Sequence, residues 1–128
     1  FPEAPFFNLS HTRGWSLIAV TKVAEVGVDV ERARSSVDVT AVTGRVFGRA
    51  AADALHQLPE AERMPSFLRS WTRFEACQKA KGQGIFGAPV GTDALQISTL
   101  RIAQDTVASV AVVSERPVRH RYFAENRQ

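Results

Sequence analysis

A chain of 128 residues with 45% apolar and 23% charged residues suits one domain, residues 1–128, with a single modest core. No stretch approaches the roughly 18 unbroken apolar residues of a membrane span, and the single cysteine, Cys77, excludes a disulfide framework or a thiolate metal site. The net charge of +3 is too mild to point to nucleic acid and favours an acidic partner or a phosphorylated ligand. The chain opens at Phe1 with neither Met nor a signal-peptide pattern, so an internal start in a cytoplasmic protein is expected, away from any membrane.

Residues 1–5 hold two prolines and read as a connection. Asn8, Ser10 and His11 follow in a stretch read as a loop. Residues 15–21 are apolar and β-branched, hence a strand, and residues 26–30 read as a second strand. The short link 22–25 predicts that these two form an antiparallel hairpin. Val39, Val42, Val46 and Phe47 recur at helical spacing behind Asp38, a candidate N-cap. A second helix is expected over 49–58, ending before Pro59. The strongest helical pattern is Phe67, Leu68, Trp71, Phe74 and Cys77, with Pro65 near its start and Gly82 and Gly84 as stops. Residues 94–102 and 106–114 predict two strands joined at Gln104-Asp105, and 119–123 a third. Strands, helices and strands again make an α+β domain, with helices packed on one face of an antiparallel sheet. Arg116, Arg119, His120 and Arg121 form the clearest basic cluster.

Asp29 and Glu31 lie two apart on a predicted strand, so both side chains point to one face. Two carboxylates held together repel unless a cation or a proton lies between them. An oxygen-only pair suits Mg²⁺, which takes few carboxylates and completes its shell with water and phosphate; solvated acids on an edge strand are the plainer alternative. Glu75 and Lys79 lie four apart on one helix face, where the plainer alternative is a surface ion pair. Trp71 stands one turn earlier and reads as a core aromatic. With no cysteine or second histidine near His11, a nucleophilic triad has no support. Residues 81–84, Lys-Gly-Gln-Gly, lie at a helix C-terminus and lack P-loop spacing.

Taken together, three segments resemble the 4′-phosphopantetheinyl transferase superfamily. Residues 7–11, Phe-Asn-Leu-Ser-His, look like its F-N-x-S-H segment. Residues 26–31, Val-Gly-Val-Asp-Val-Glu, look like its G-x-D-x-E segment, and 71–85 like its W-x-x-K-E-A-x-x-K-A-x-G-x-G-L signature. The resemblance spans about residues 6–100 and keeps the family's order. It implies transfer of the phosphopantetheine arm of CoA to a serine of an apo acyl or peptidyl carrier protein, an acidic helical bundle, with release of adenosine 3′,5′-bisphosphate. Asp29, Glu31 and Glu75 would hold Mg²⁺, or Mn²⁺, on the CoA pyrophosphate. Glu75 would also serve as base, and Lys79 would meet a phosphate. Ser10 and His11 would touch a CoA phosphate, and Trp71 would shape the site.

Three departures stand out. Phe74 occupies a position where the family usually has lysine. Ala51 replaces the glutamate of a helix segment otherwise matched by Phe47 and Leu55. The length is that of the family's short trimeric class, whereas the motifs are those of the C-terminal lobe of its two-lobed class. A lobe whose N-terminal partner lobe is absent, or one that pairs with another copy of itself, is therefore expected, with CoA between lobes. A non-catalytic lobe binding CoA or a carrier, and an unrelated nucleotide hydrolase with a D-x-E magnesium site, are the competing readings. The presence of all three acids favours the transferase.

Overall fold

A computed structural model describes residues 4–22, 24–82 and 94–125. Among the described residues, eight elements follow in chain order: β1 (Phe6–Thr12), β2 (Trp15–Thr21), β3 (Val26–Arg32), α1 (Val39–Phe47), α2 (Arg49–Gln57), α3 (Glu60–Ala80), β4 (Leu95–Ala103) and β5 (Thr106–Val113). The expected α+β class holds, with the strands divided between two antiparallel sheets. β1 and β2 form one, and β3-β5-β4 the other, with β5 in the middle.

The expected hairpin of residues 15–21 with 26–30 does not form. β2 pairs instead with β1, in register from Phe6↔Thr21 to Thr12↔Trp15. The turn is Arg13-Gly14, and Gly14 at φ 85° supplies the left-handed residue that so tight a reversal needs. The segment read as a loop around Asn8 and His11 is thus a strand. Its Asn, Ser and His lower strand propensity, but pairing with the apolar β2 outweighs this local preference.

Asp38 caps α1, accepting the Ala41 N–H at 3.0 Å. α3 begins at Glu60, so Pro65 stands inside the helix rather than near its start. The cost is one main-chain hydrogen bond, set against the burial of Phe67, Leu68, Thr72, Ala76 and Ala80 further along. Residues 119–123 form no strand. His120 Nε2 instead lies 2.9 Å from Ser98 Oγ on β4, and its ring stacks on Tyr122. Gly82 has the expected positive φ of 60° at the end of α3, while Gly84 and the rest of the 83–85 segment lie outside the described residues, as do residues 1–3.

The core has two parts. Val39, Leu55, Phe67 and Leu68 pack where α1 and α2 meet α3. Ala76, Ala80 and Ala111 pack where α3 crosses the three-stranded sheet. Small side chains bring helix and sheet backbones close there. A Cβ at Gly27 would collide with the Ala76 carbonyl and the Ala80 amide. Thr72 Oγ1 on α3 lies 2.8 Å from Ser109 Oγ on β5, which in turn lies 3.0 Å from Thr99 Oγ1 on β4. This buried hydroxyl chain ties the helix to both strands.

Candidate functional site

Because β5 occupies only one side of β3, the other edge of β3 is open. Three main-chain groups on that edge nevertheless find side-chain partners. Val28 N–H donates to Asn8 Oδ1 at 2.9 Å, and Val30 N–H to Ser10 Oγ at 3.1 Å. The Val28 carbonyl accepts Lys79 Nζ at 2.8 Å. Lys79 therefore leaves the surface ion pair with Glu75 considered from sequence and reaches across to β3.

Asp29 lies at the middle of this junction and is 5% exposed. Its Oδ1 is 3.6 Å from Lys79 Nζ and 3.4 Å from Ser10 Oγ. Its Oδ2 is buried without a hydrogen-bond partner. Burial pushes the carboxyl up to about 7, the neighbouring Glu31 and Glu75 charges push the same way, and Lys79 opposes them. Glu31 is raised too, first by burial and then by Glu75, against the pull of Arg34, a hydrogen bond from the Trp71 indole and Lys79. Alternation along β3 turns Asp29 and Glu31 to the face on which α3 lies, and α3 supplies Trp71, Glu75 and Lys79 one helical turn apart.

The structure thus brings together Asp29, Glu31, Glu75, Lys79, Trp71 and Ser10. It does not bring His11 among them. His11 is exposed on β1, on the opposite face from Asn8 and Ser10. Trp71 is the expected core aromatic, half-buried and stacked on Phe67 with ring centres 5.9 Å apart. Phe74 meets Phe47 edge to face at 5.4 Å and Trp71 at 6.2 Å, so the position that lacks a lysine holds α1 to α3 instead. Beside Glu31 opens a cavity of about 310 Å³ walled by Trp71, Phe67, Leu68 and Met64, with Arg34 at its polar side. A polar cleft of about 500 Å³ beyond it carries Arg13, Arg34, Ser35 and Ser36, and Arg32 held at 2.7 Å by Asp105.

Among the described residues, no group of three or more Asp, Glu, His or Cys side chains is arranged ready-made around a cation. The donors still fit a hard one. They are all carboxylate oxygens, their charges oppose one another, and a buried oxygen of Asp29 lacks any donor. Sequence reasoning placed Asn8 in a motif without giving it a role, and missed Arg34. The role of Asn8 was hidden by reading its segment as a loop, since only in a strand does its two-residue offset from Ser10 match that of Val28 and Val30; Arg34 carried no signal of its own.

A family model described as the 4′-phosphopantetheinyl transferase superfamily matches residues 25–126. The chain is 37% identical over 79 residues to the 4′-phosphopantetheinyl transferase HetI of Nostoc sp., covering 62% of this chain and 33% of that protein. It is 31% identical over 85 residues to a putative 4′-phosphopantetheinyl transferase of Synechocystis sp., covering 66% and 35%. It is 33% identical over 106 residues to the 4′-phosphopantetheinyl transferase AcpT of Escherichia coli, covering 80% and 52%. The chain therefore spans between about a third and about half of the length of these curated relatives. With the match running through β3 and α3, the elements that carry Asp29, Glu31, Glu75 and Lys79, this chain belongs to the 4′-phosphopantetheinyl transferase superfamily.

Proposed function

We propose that this chain is the metal- and CoA-holding lobe of a 4′-phosphopantetheinyl transferase that acts on an acidic carrier protein. The observation that carries the reading is Asp29. It is a buried acid with one unpartnered oxygen, flanked by Glu31 and Glu75 and fronted by Lys79. Holding a buried carboxyl beside two further acids is costly unless a cation or a proton relieves the repulsion.

In the proposed reaction a carrier serine oxygen bonds to the β-phosphorus of CoA as the pyrophosphate P–O bond breaks, and adenosine 3′,5′-bisphosphate leaves. Such transfers need positioning and charge neutralisation more than covalent help. Mg²⁺ held by Asp29, Glu31 and Glu75 would supply that neutralisation when bound, and Mn²⁺ has the same ligand preference. Glu75 is half-buried and free to accept the serine proton directly or through water. Lys79 presents an ammonium to a phosphate as a point charge. The Trp71 indole steadies the Glu31 carboxylate, and His11 meets a CoA phosphate from the exposed face of β1. Arg13 and Arg34, in the polar cleft, suit an acidic carrier. A second lobe, N-terminal in the same protein or supplied by another copy, would complete the CoA pocket; the greater length of the relatives supports this.

The test is to incubate the protein with CoA, Mg²⁺ and a panel of apo carriers, then weigh the carriers intact. Gain of one phosphopantetheine arm, abolished by EDTA, is expected. Phosphate release from nucleotides without any carrier would instead identify a hydrolase. Binding of CoA or a carrier with no transfer, even after an N-terminal lobe is added, would identify a non-catalytic lobe.

A further inference from the structure

We propose that Asn8 and Ser10 are positioning residues whose side chains replace a missing strand neighbour along the open edge of β3, and so hold the backbone that carries Asp29 and Glu31. In an antiparallel ladder, alternate residues turn both main-chain groups away from the paired strand. Val28 and Val30 are those residues here. β1 lies beside them but belongs to a separate sheet, so no main-chain ladder joins the two. Side chains make the connection instead: Asn8 takes the Val28 N–H, Ser10 takes the Val30 N–H, and Lys79 fills the Val28 carbonyl. Acceptors two apart on β1 meet donors two apart on β3, which fixes the register between the sheets. Both valines are 1% exposed, so water is no ready substitute for these bonds.

Ser10 has a second task. A hydroxyl has one proton. Ser10 Oγ accepts the Val30 N–H and lies 3.4 Å from Asp29 Oδ1, toward which it donates that proton. With that hydrogen bond directed at the carboxylate, Ser10 has no second proton to donate to a phosphate oxygen. Asn8 and Ser10 therefore orient the acid from behind, and of the polar residues of this segment it is His11 that shares the outward face with Phe7 and Leu9.

The functional half of this inference rests on the transferase reading; the clamp itself does not. Amide hydrogen exchange on the full chain should show Val28 exchanging at least about tenfold faster in Asn8→Ala, and Val30 likewise in Ser10→Ala, relative to β5 amides, a change of about 1.4 kcal/mol. Ser10→Thr, which keeps the hydroxyl, should preserve protection. Unchanged exchange at both valines would overturn the clamp. For the functional half, Ser10→Ala should weaken Mn²⁺ binding by calorimetry and lower kcat while leaving KM for CoA unchanged, with Ser10→Thr restoring both. A raised KM for CoA with Mn²⁺ binding and kcat intact would make Ser10 a phosphate ligand and overturn its orienting role. If the unaltered protein neither binds Mn²⁺ nor transfers the arm, the transferase reading fails, and the exchange experiment still decides the clamp.

Discussion

Asp29 is the residue at which folding and function oppose each other. Its carboxyl is raised from the ordinary 3.8 to about 7, chiefly by burial. Between roughly pH 4 and pH 7 the native state keeps a proton that the unfolded chain has already released. Stability contributed at this position is therefore fully present at low pH and lost as pH rises through that window. Without divalent cations, Asp29→Asn should melt at a higher temperature than the parent at pH 8 and show a flatter decline from pH 5 to pH 8. Added Mg²⁺ should raise the melting temperature of the parent alone. Parallel melting curves for the two proteins across this range would show that Asp29 ionises normally. Gly27 is constrained differently, because any Cβ there meets the backbone of α3 and the Cβ of Lys79. Gly27→Ala should cost about 1–3 kcal/mol or more by overpacking. It should also displace Lys79, so the denaturation midpoint and, in the proposed reaction, CoA turnover should both fall; an unaltered midpoint would mean that α3 shifts freely.

At the scale of elements, α1 is short and depends on its ends. Asp38→Ala removes the bond to the Ala41 N–H and should cost about 1 kcal/mol by chemical denaturation. The exchange of a lysine for Phe74 has a visible use in the edge-to-face contact with Phe47. Phe74→Lys should loosen α1 from α3, forfeiting about 0.5–1.5 kcal/mol of ring contact beyond the lost burial. A variant as stable as the parent would show that the aromatic row carries no structural weight. These elements were legible in sequence because apolar spacing marks a helix face and a short polar residue marks its start. The start of α3 was not, because Pro65 resembles a first-turn proline and only the packing of the whole helix decides that the lost bond is tolerable.

At the scale of the molecule, α3 is the element on which both parts of the core depend. It meets α1 and α2 through Phe67 and Leu68, and the sheet through Ala76 and Ala80. Ser109→Ala would leave Thr72 and Thr99 without their shared hydroxyl partner. It should cost about 1–3 kcal/mol in global unfolding, with α3, β4 and β5 losing exchange protection together rather than singly. Loss confined to one element would show that the hydroxyl chain does not couple them.

By itself, the sequence determined the α+β class, the bounds of α1 and α2 to within a residue, the pair of acids on one face of β3 and the row Trp71, Glu75 and Lys79 on one face of α3. Each follows from a local period of two or of three to four residues, and local periods survive in a linear chain. Which strands pair was decided only in three dimensions. β2 had two possible partners, and the choice of β1 rests on a glycine turn and on burial that no short window contains. The same holds for the site. Spacing could place Asp29 and Lys79 on their own elements, but their approach, the orphaned oxygen of Asp29 and the outward turn of His11 arise from how β1 and α3 meet the open edge of β3. That meeting depends on contacts about 20 to 50 residues apart along the chain.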